Sequence, residues 1–356
     1  MRVAGVCALA LALLLTSCIG RTRYSEIDGP LKDAVVFPDE FEVDVSELSV
    51  DAGALVEAVD AARLRWDVTV VAAERRGTDG SPLDLSAQAT QAQHDAALRA
   101  VRHIGSQFRA AGYAVRNDDV AHGSGAVLPN VIADLPGTAC SETVFVVGAH
   151  YDTENNTTGA DDNASAVAGM LELARVMRGT PLPMTLRFIG FPYEEDGRLG
   201  SRQVAQRLLE AGTSVAGMLS LEMIGYTKPG DDAFLGVPND YLATVANPPS
   251  AYLAKVFGAA HYEYVPNFFA PAAVIDPEAI PDVKNSDHLA FWERGYPALL
   301  VTDTAYFRNP NYHTPNDTVD TLDIGFMADS TRATAAGLAA FGTLDDDGDG
   351  RPDACG

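Results

Sequence analysis

The stretch Thr-Val-Phe-Val-Val-Gly-Ala-His-Tyr-Asp, residues 143–152, is the part of the sequence that best indicates the fold. Its first seven residues are mostly apolar and have the length of a strand that is buried on both faces. The run ends directly in His150, and Asp152 follows two residues later. A second apolar run, at 184–191, is also followed closely by acidic residues. Polar groups that follow buried strands predict a parallel sheet whose ligands bind at the carboxyl ends of its strands.

Strands and helices are predicted to alternate along the rest of the chain. Between 91 and 111, apolar residues recur every three or four positions, which predicts an amphipathic helix. Strands are predicted at 127–135, 143–149, 184–191, 215–224 and 298–302, and further helices at 164–177, 199–211, 250–260 and 327–341. This alternation predicts an α/β fold with a mixed, mostly parallel central sheet and helices on both of its faces.

The composition predicts one large folded domain with an acidic surface. The chain has 356 residues, of which 47% are hydrophobic, and this is enough to close a sizeable core. Acidic side chains number 49 against 25 lysines and arginines, so the formal net charge is -24. Such a surface repels phosphate backbones, and we therefore expect no nucleic-acid partner. Bound divalent cations would offset part of this charge.

The first 17 residues have the pattern of an export signal. Their apolar stretch is shorter than the roughly 20 residues that a transmembrane helix needs. Small residues then precede Cys18, and this junction resembles the bacterial lipobox, which implies acylation of Cys18. We therefore expect a lipoprotein of the cell envelope, periplasmic or on the cell surface, held at the membrane only by its lipid, with a tether at 18–38. The alternative is an ordinary signal peptide whose cysteine is incidental.

Two cysteines, Cys140 and Cys355, remain in the part of the chain that is expected to fold after export. A disulfide between them would join the C-terminal tail to the domain, as is common in exported proteins. Two free thiols are the alternative, because the sequence does not show whether these residues approach each other.

An acidic tail, 344–356, follows the predicted domain, 39–343. Oxygen ligands on alternate residues with glycine at the turn suit calcium, and the spacing resembles half of an EF-hand. The alternative is an acidic tail without a fold of its own. The calcium ligands would be Asp345, Asp347, Asp349 and Asp353.

Three polar residues, Asp161, Asp162 and Asn163, precede the helix that is predicted at 164–177. One such residue is by default a helix N-cap. Three in succession exceed what a cap requires, so the surplus carboxylate predicts a ligand.

Three glutamates lie within or directly after predicted strands. Glu222 lies inside an apolar strand, where an unpaired carboxylate costs several kcal/mol and so has to be neutralised, paired or bound to metal. Glu194 and Glu195 follow the strand at 184–191. Adjacent glutamates at a strand end can divide two roles, because one can bind metal while its neighbour accepts a proton from water. Read alone, these two would more often form an acidic turn.

The last motif is Asn-Tyr-His-Thr-Pro-Asn-Asp-Thr, residues 311–318. His313 supplies a second imidazole, and the hydroxyl of Tyr312 could donate to a developing oxyanion. Asp287 and His288 lie before the strand that is predicted at 298–302. They are candidates for groups that hold the ligands in place.

In this order, the motifs resemble metallopeptidase family twenty-eight, the co-catalytic zinc aminopeptidases that are related to glutamate carboxypeptidase. The resemblance covers roughly 85–341 and implies a zinc-dependent exopeptidase fold of the phosphorylase/hydrolase-like kind. It also implies two Zn²⁺ ions per chain and peptide substrates. By this resemblance, one ion is held by His150, Asp162 and Glu222, and the other by Asp162, Glu195 and His313.

The resemblance also implies the roles of three residues that do not bind metal. Glu194 matches the general base, Asp152 the carboxylate that orients a histidine ligand, and Tyr312 a donor to the transition state. One ligand departs from the family pattern, because Glu222 stands where many relatives have aspartate. The charge and the ligand atom are preserved.

These roles predict a di-zinc exopeptidase, and an aminopeptidase is favoured. A glutamate carboxypeptidase-like enzyme is an alternative, for which Arg198 or Arg308 would bind substrate carboxylates. A glutaminyl cyclase with one zinc is another, although two histidines and three acids besides the base fit two ions better. A non-catalytic binding protein on the same scaffold would be expected to lack ligands, and no ligand position has been lost here.

Overall fold

The structure is a computed structural model, and it describes residues 19–74, 91–154, 157–345 and 353–355. Within these residues, eight strands form one mixed sheet in the order β1-β2-β4-β3-β5-β8-β6-β7. The strands are β1 Val115–Ala121, β2 Val127–Leu135, β3 Cys140–His150, β4 Met184–Phe191, β5 Val215–Glu222, β6 Ala243–Ala246, β7 Ala272–Val274 and β8 Ala298–Thr302.

The helices of the described residues cover both faces of this sheet. They are α1 Ile19–Thr22, α2 Ala52–Glu57, α3 Ala61–Glu74, α4 Gln91–Ala110, α5 Ala166–Met177, α6 Leu199–Glu210, α7 Ala251–Tyr264, α8 His288–Trp292 and α9 Ile324–Thr343. One face packs against α3, α4, α5, α7 and α9, and the other against α6 and α8. The predicted α/β class, with a mostly parallel sheet and helices on both faces, is confirmed.

Four neighbouring strands, β4, β3, β5 and β8, run parallel at the centre of the sheet. Their carboxyl ends therefore meet along one edge. In register, His150 of β3 lies opposite Phe191 of β4, and Glu222 of β5 lies opposite Thr302 of β8. This arrangement brings together the loops that carry the polar motifs of the sequence.

The segment 20–37 packs on the domain, although the sequence assigns it to a tether. Tyr24 is buried, with its ring edge-on to Phe269 at 5.1 Å between centroids. The backbone N–H of Gly20 donates to the carbonyl of Pro266 at 2.9 Å, and that of Val36 to the carbonyl of Ala272 at 2.9 Å. This stretch is thus part of the folded domain and not a loose spacer.

A disulfide joins Cys140, at the start of β3, to Cys355 in the C-terminal tail. Of the two alternatives that the sequence leaves open, the structure has the paired form. The neighbouring Ala354 is 3% exposed, so this end of the tail packs into the core. Among the described helices, none combines the length and the apolar character that crossing a bilayer requires.

Candidate metal centre

One group of metal-ligating side chains lies where β3 and β5 end. His150 Nε2 lies 3.4 Å from Asp162 Oδ1 and 3.3 Å from Glu222 Oε2. All three residues are buried, and each offers a ligand atom within 4.8 Å of the others. An imidazole with two carboxylates is a donor set that zinc accepts.

A second group shares Asp162 with the first. His313 Nε2 lies 3.0 Å from Asp162 Oδ2 and 3.3 Å from Glu195 Oε2. The two oxygens of Asp162 therefore face different histidines. The structure brings together all five residues that the sequence nominates as ligands, although they come from the ends of two strands and from three segments outside the sheet.

Three observations indicate that cations fit here. His313 Nε2 is buried and makes no hydrogen bond of acceptable geometry, even though two carboxylates lie close to it. Burial, followed by the charge of Asp162, raises the pKa of Glu195 to about 8. Burial alone would lower the pKa of His313, but Asp162 and Glu195 raise it to about 10. Three crowded carboxylates with two imidazoles aimed among them thus fit a pair of divalent cations.

Asp162, which the two groups share, is held by its neighbours on both sides. The backbone N–H groups of Asp161 and Asp162 donate to the two carboxylate oxygens of Asp317, at 2.9 and 3.1 Å. The side chain of Asn163 donates to the carbonyl of Leu221 at 3.0 Å and accepts from the N–H of Met223 at 2.9 Å. This segment is therefore tied to the end of β5, where Glu222 lies.

Asp161, the acidic residue just before Asp162, is held by hydrogen bonds of its own. Its Oδ1 accepts from the N–H of Gly225 at 3.0 Å, and its Oδ2 accepts from Asn309 at 2.7 Å. Burial, followed by the charge of Asp303, raises the pKa of this carboxyl well above its usual range. Asp161 thus joins three loops and leaves Asp162 to face the histidines.

Glu222 is held by a residue that sequence reasoning did not nominate. The hydroxyl of Ser286 donates to Glu222 Oε2 at 2.7 Å and lies 2.8 Å from the hydroxyl of Ser220. Asp287, which was a candidate for this role, is fully buried, and burial raises its pKa to about 7. The partner that the structure gives His288 is a backbone group, because its Nε2 lies 2.7 Å from the carbonyl of Val283.

Three residues beside the ligands have left-handed backbone conformations. They are Tyr193, Met223 and His313, with φ of 58°, 48° and 54°. Residues other than glycine rarely adopt such φ angles, and strained backbone of this kind concentrates at functional sites. Tyr193 directly precedes the nominated base, Met223 directly follows the nominated ligand Glu222, and His313 is itself a nominated ligand.

The comparisons with known proteins agree with this geometry. The sequence model of Peptidase family M28 matches residues 130–338, which is more than half of the chain. The chain belongs to peptidase family M28. The predicted family is therefore confirmed.

Individual relatives and structural neighbours differ in the share of their length that this chain covers. Uncharacterized protein YfbL of Escherichia coli (strain K12) is 32% identical over 250 residues, 65% of this chain and 76% of that protein. A probable leucine aminopeptidase of Trichophyton verrucosum (strain HKI 0517) is 29% identical over 60% of this chain, which spans only 57% of that protein. LapB from Legionella pneumophila superposes with a TM-score of 0.65 at 21% identity, covering 85% of this chain and 79% of that one, and supports the fold.

In this M28 chain, Glu194 lies beside the ligands and not among them. Its side chain is 11% exposed, and Arg198 Nη1 lies 3.8 Å from its Oε1. Burial raises the pKa of the Glu194 carboxyl well above its usual range, and His150 opposes this shift. A buried carboxylate with a raised pKa beside the ligands is suited to proton transfer.

Asp152 links a histidine ligand to the glutamate pair. His150 Nδ1 lies 3.2 Å from the carbonyl oxygen of Asp152 and 3.6 Å from its Oδ1. The other carboxylate oxygen accepts from the N–H of Glu195 at 3.1 Å. Asp152 is therefore placed to orient the His150 ring, with its backbone carbonyl nearer than its carboxylate.

Tyr312 stacks on His313, with 3.6 Å between ring centroids and 18° between planes. Burial, followed by the charges of Asp162 and Glu195, raises the pKa of its hydroxyl, which therefore stays protonated as a donor. Glu154 was not nominated, yet its carboxylate lies within 4.8 Å of ligand atoms of Glu195 and His313. The sequence feature that could have indicated Glu154 is its position two residues after Asp152.

Several nominated residues lie outside the described residues or beside them. Cys18 is one, and Asp347 and Asp349 of the predicted calcium loop are two more. Asp345 is exposed and is the last residue of the described segment 157–345. Asp353 lies two residues before the disulfide-bonded Cys355.

Proposed function

We propose that this M28 protein is a di-zinc aminopeptidase that removes residues from the N-terminus of peptides. The observation that carries the proposal is that Asp162 faces His150 with one oxygen and His313 with the other, at 3.4 and 3.0 Å. A carboxylate shared in this way is what a two-metal site requires. Each histidine also has a further carboxylate of its own, Glu222 or Glu195.

In the proposed site, His150, Asp162 and Glu222 hold one ion, and His313, Asp162 and Glu195 hold the other. When bound, paired zinc ions lower the pKa of water and polarise a carbonyl group. Glu194 accepts the proton of the attacking water and returns it to the leaving amine. The Tyr312 hydroxyl donates to the oxyanion that develops on the scissile carbonyl.

The charge around the centre favours an aminopeptidase over a carboxypeptidase. Arg308, a candidate for binding substrate carboxylates, is 1% exposed and donates to the carbonyl of Tyr241 at 2.8 Å. Arg198 lies against the base Glu194. The carboxylate of Glu154 lies within 4.8 Å of ligand atoms of Glu195 and His313, and its negative charge suits a substrate with an ammonium group beside its scissile bond.

The test is an assay of purified protein on aminoacyl and N-blocked peptide substrates, with and without a chelator and with zinc restored. The proposal expects cleavage of free-amine substrates only, loss with chelator and recovery with zinc. Cleavage of N-blocked peptides from the C-terminal end would support the carboxypeptidase instead. A metal-free protein that turns over no substrate would support the binding protein.

We also propose export to the cell envelope with a lipid on Cys18. The leader pattern and the disulfide Cys140–Cys355 support this, because disulfides persist in oxidising compartments. Cys18→Ala is expected to release the protein from the membrane fraction, and unchanged fractionation would contradict the anchor. Calcium binding by the tail is likewise a proposal that rests on sequence spacing, and calorimetric titration with Ca²⁺ tests it.

A further inference from the structure

A largely apolar cavity of about 210 Å³ begins at Glu222 and extends away from the metal centre. Its lining includes Leu300, Val245 and Ile275, which are between 5% and 7% exposed. An apolar cavity of about 150 Å³ is enough to take up a benzene molecule. The cavity therefore has room for a large apolar side chain.

The sheet itself forms the floor of this cavity. Glu222 lies opposite Thr302 in register, and Thr302 lies opposite Ala243. This row therefore runs from a proposed metal ligand directly into the cavity. A group bound at the metal centre and a side chain in the cavity can thus belong to one substrate residue.

A parallel row on the same face ends in the N-terminal segment. Leu300 pairs with Val245, Val245 with Ala273, and Ala273 with Val35. We call residues 28–36 the N-terminal strap. The strap extends the sheet beyond β7, and its Leu31 and Val35 line the cavity at the side away from Glu222.

The strap is fixed at both of its ends. The N–H groups of Asp28 and Leu31 donate to the carbonyls of Leu235 and Phe234 at 3.1 and 3.0 Å, and Val36 donates to Ala272. Gly29 permits this close approach, because a Cβ at that position would collide with the backbone of Phe234. The wall that the strap provides is thus held firmly against the loop at 234–235.

An aromatic rim surrounds the cavity mouth. Tyr306 and Phe307 line the cavity yet are 36% and 43% exposed. The Phe307 ring is edge-on to Phe234 at 4.7 Å, and Tyr306 lies 5.4 Å from Tyr312, the residue that stacks on His313. An apolar surface therefore continues from the cavity to the metal centre.

The charged groups of the cavity disfavour acidic side chains. Among the described residues that line it, the charged ones are Glu222 and Asp282, and both are acidic. Asp282 accepts a hydrogen bond from the Tyr306 hydroxyl. An acidic substrate side chain would be desolvated here without a cationic partner, which is unfavourable.

We propose that the N-terminal strap determines substrate specificity, with Leu31 and Val35 setting the far limit of a cavity that receives a large apolar first side chain. This inference rests on the proposed aminopeptidase function. It assigns the strap a role in substrate selection that is separate from any role in anchoring. The preferred substrates are peptides with an N-terminal leucine, phenylalanine or similar residue.

The test compares kcat/KM for phenylalanine and alanine 4-nitroanilides in the zinc-loaded protein. Leu31→Trp fills the cavity from the strap, so the phenylalanine-to-alanine ratio is expected to fall about ten-fold or more. Lys32→Trp is the matched control, because Lys32 is the adjacent residue of the strap and is exposed to solvent. The phenylalanine-to-alanine ratio of kcat/KM in Lys32→Trp should equal that of the wild type.

Leu31→Ala is the second variant and enlarges the cavity. It is expected to raise the relative rate on a tryptophan substrate, and it decides the question if Leu31→Trp does not fold in a thermal melt. Calorimetry with L-phenylalaninol, which keeps the amine and the side chain but has no amide bond to cleave, gives a readout other than turnover, and Leu31→Trp should weaken its binding. An active wild type whose substrate ratios are unchanged in both variants would overturn the strap inference alone. A wild type inactive on all free-amine substrates would instead overturn the proposed function.

Discussion

The backbone N–H of Asp162 donates to the carboxylate of Asp317 at 3.1 Å, although 155 residues separate the two. The other oxygen of Asp317 accepts from Asp161, so one buried carboxylate fixes the segment that bridges the proposed metals. Asp317→Asn keeps the shape but replaces one acceptor with a donor. We expect zinc affinity to fall about 10- to 100-fold, measured by competition with a chelator. Asn316→Ala, at the exposed neighbour, is the control, and equal affinities in the two variants would refute this role.

Glu194→Gln tests the assignment of the base. The amide cannot accept the proton of water, so kcat should fall about 10²- to 10⁴-fold while the zinc content stays at the wild-type level. Asp162→Ala is the contrasting variant and should lose metal together with activity. The measurements are steady-state kinetics and elemental analysis of the same preparations. A Gln variant with a near-normal rate would show that another group takes the proton.

Loss of the disulfide should destabilise the fold without altering the chemistry. Cys140 and Cys355 are separated by 215 positions, and a bridge across such a loop restricts the unfolded chain strongly. Cys140→Ser combined with Cys355→Ser should lower the free energy of unfolding by about 2 to 5 kcal/mol. Urea titration measures this, and kcat at 25 °C should be retained. A double variant as stable as the wild type would mean that the bridge does not stabilise the domain.

His261, in α7, should make stability depend on pH. Burial lowers its pKa from 6.5 to about 4, and the hydrogen bond to the carbonyl of Ala270 opposes this only in part. The folded state therefore binds fewer protons than the unfolded state between these values. The contribution of His261 to the free energy of unfolding is fully present above about pH 6.5. It declines as the pH falls toward 4, and at pH 5 about 2 kcal/mol has been lost.

Urea unfolding of the wild type and of His261→Asn, at pH 7.5 and pH 5, checks this dependence. Other titrating groups contribute equally to both proteins, so the wild type should lose about 2 kcal/mol more than the variant between these pH values. Equal losses in the two proteins would mean that His261 is not held neutral.

The centre of the sheet was predictable because its strands are buried on both faces. The predicted strands at 127–135, 184–191 and 298–302 have the observed bounds. The edge strand β1, Val115–Ala121, was missed because its sequence is polar and mostly exposed, so no apolar run marks it. The short β6 and β7 are rich in alanine, and the sequence around them carries no strand signal.

The ligand positions were predictable in part because they follow strands that the sequence reveals. The residues that hold the ligands were harder to find. Ser286 and Asp317 each act through two hydrogen bonds across long sequence separations, and their residue types are common in loops. The packing of the strap was missed for a similar reason, because Gly29 and Pro30 suggest a linker when the partner surface is unknown.

The most direct test of the two-metal proposal is a crystal structure with anomalous scattering measured at the zinc edge. We expect two peaks of similar height on either side of the Asp162 carboxylate, one next to His150 and Glu222 and one next to His313 and Glu195. A single peak, or zinc bound away from Asp162, would contradict the account.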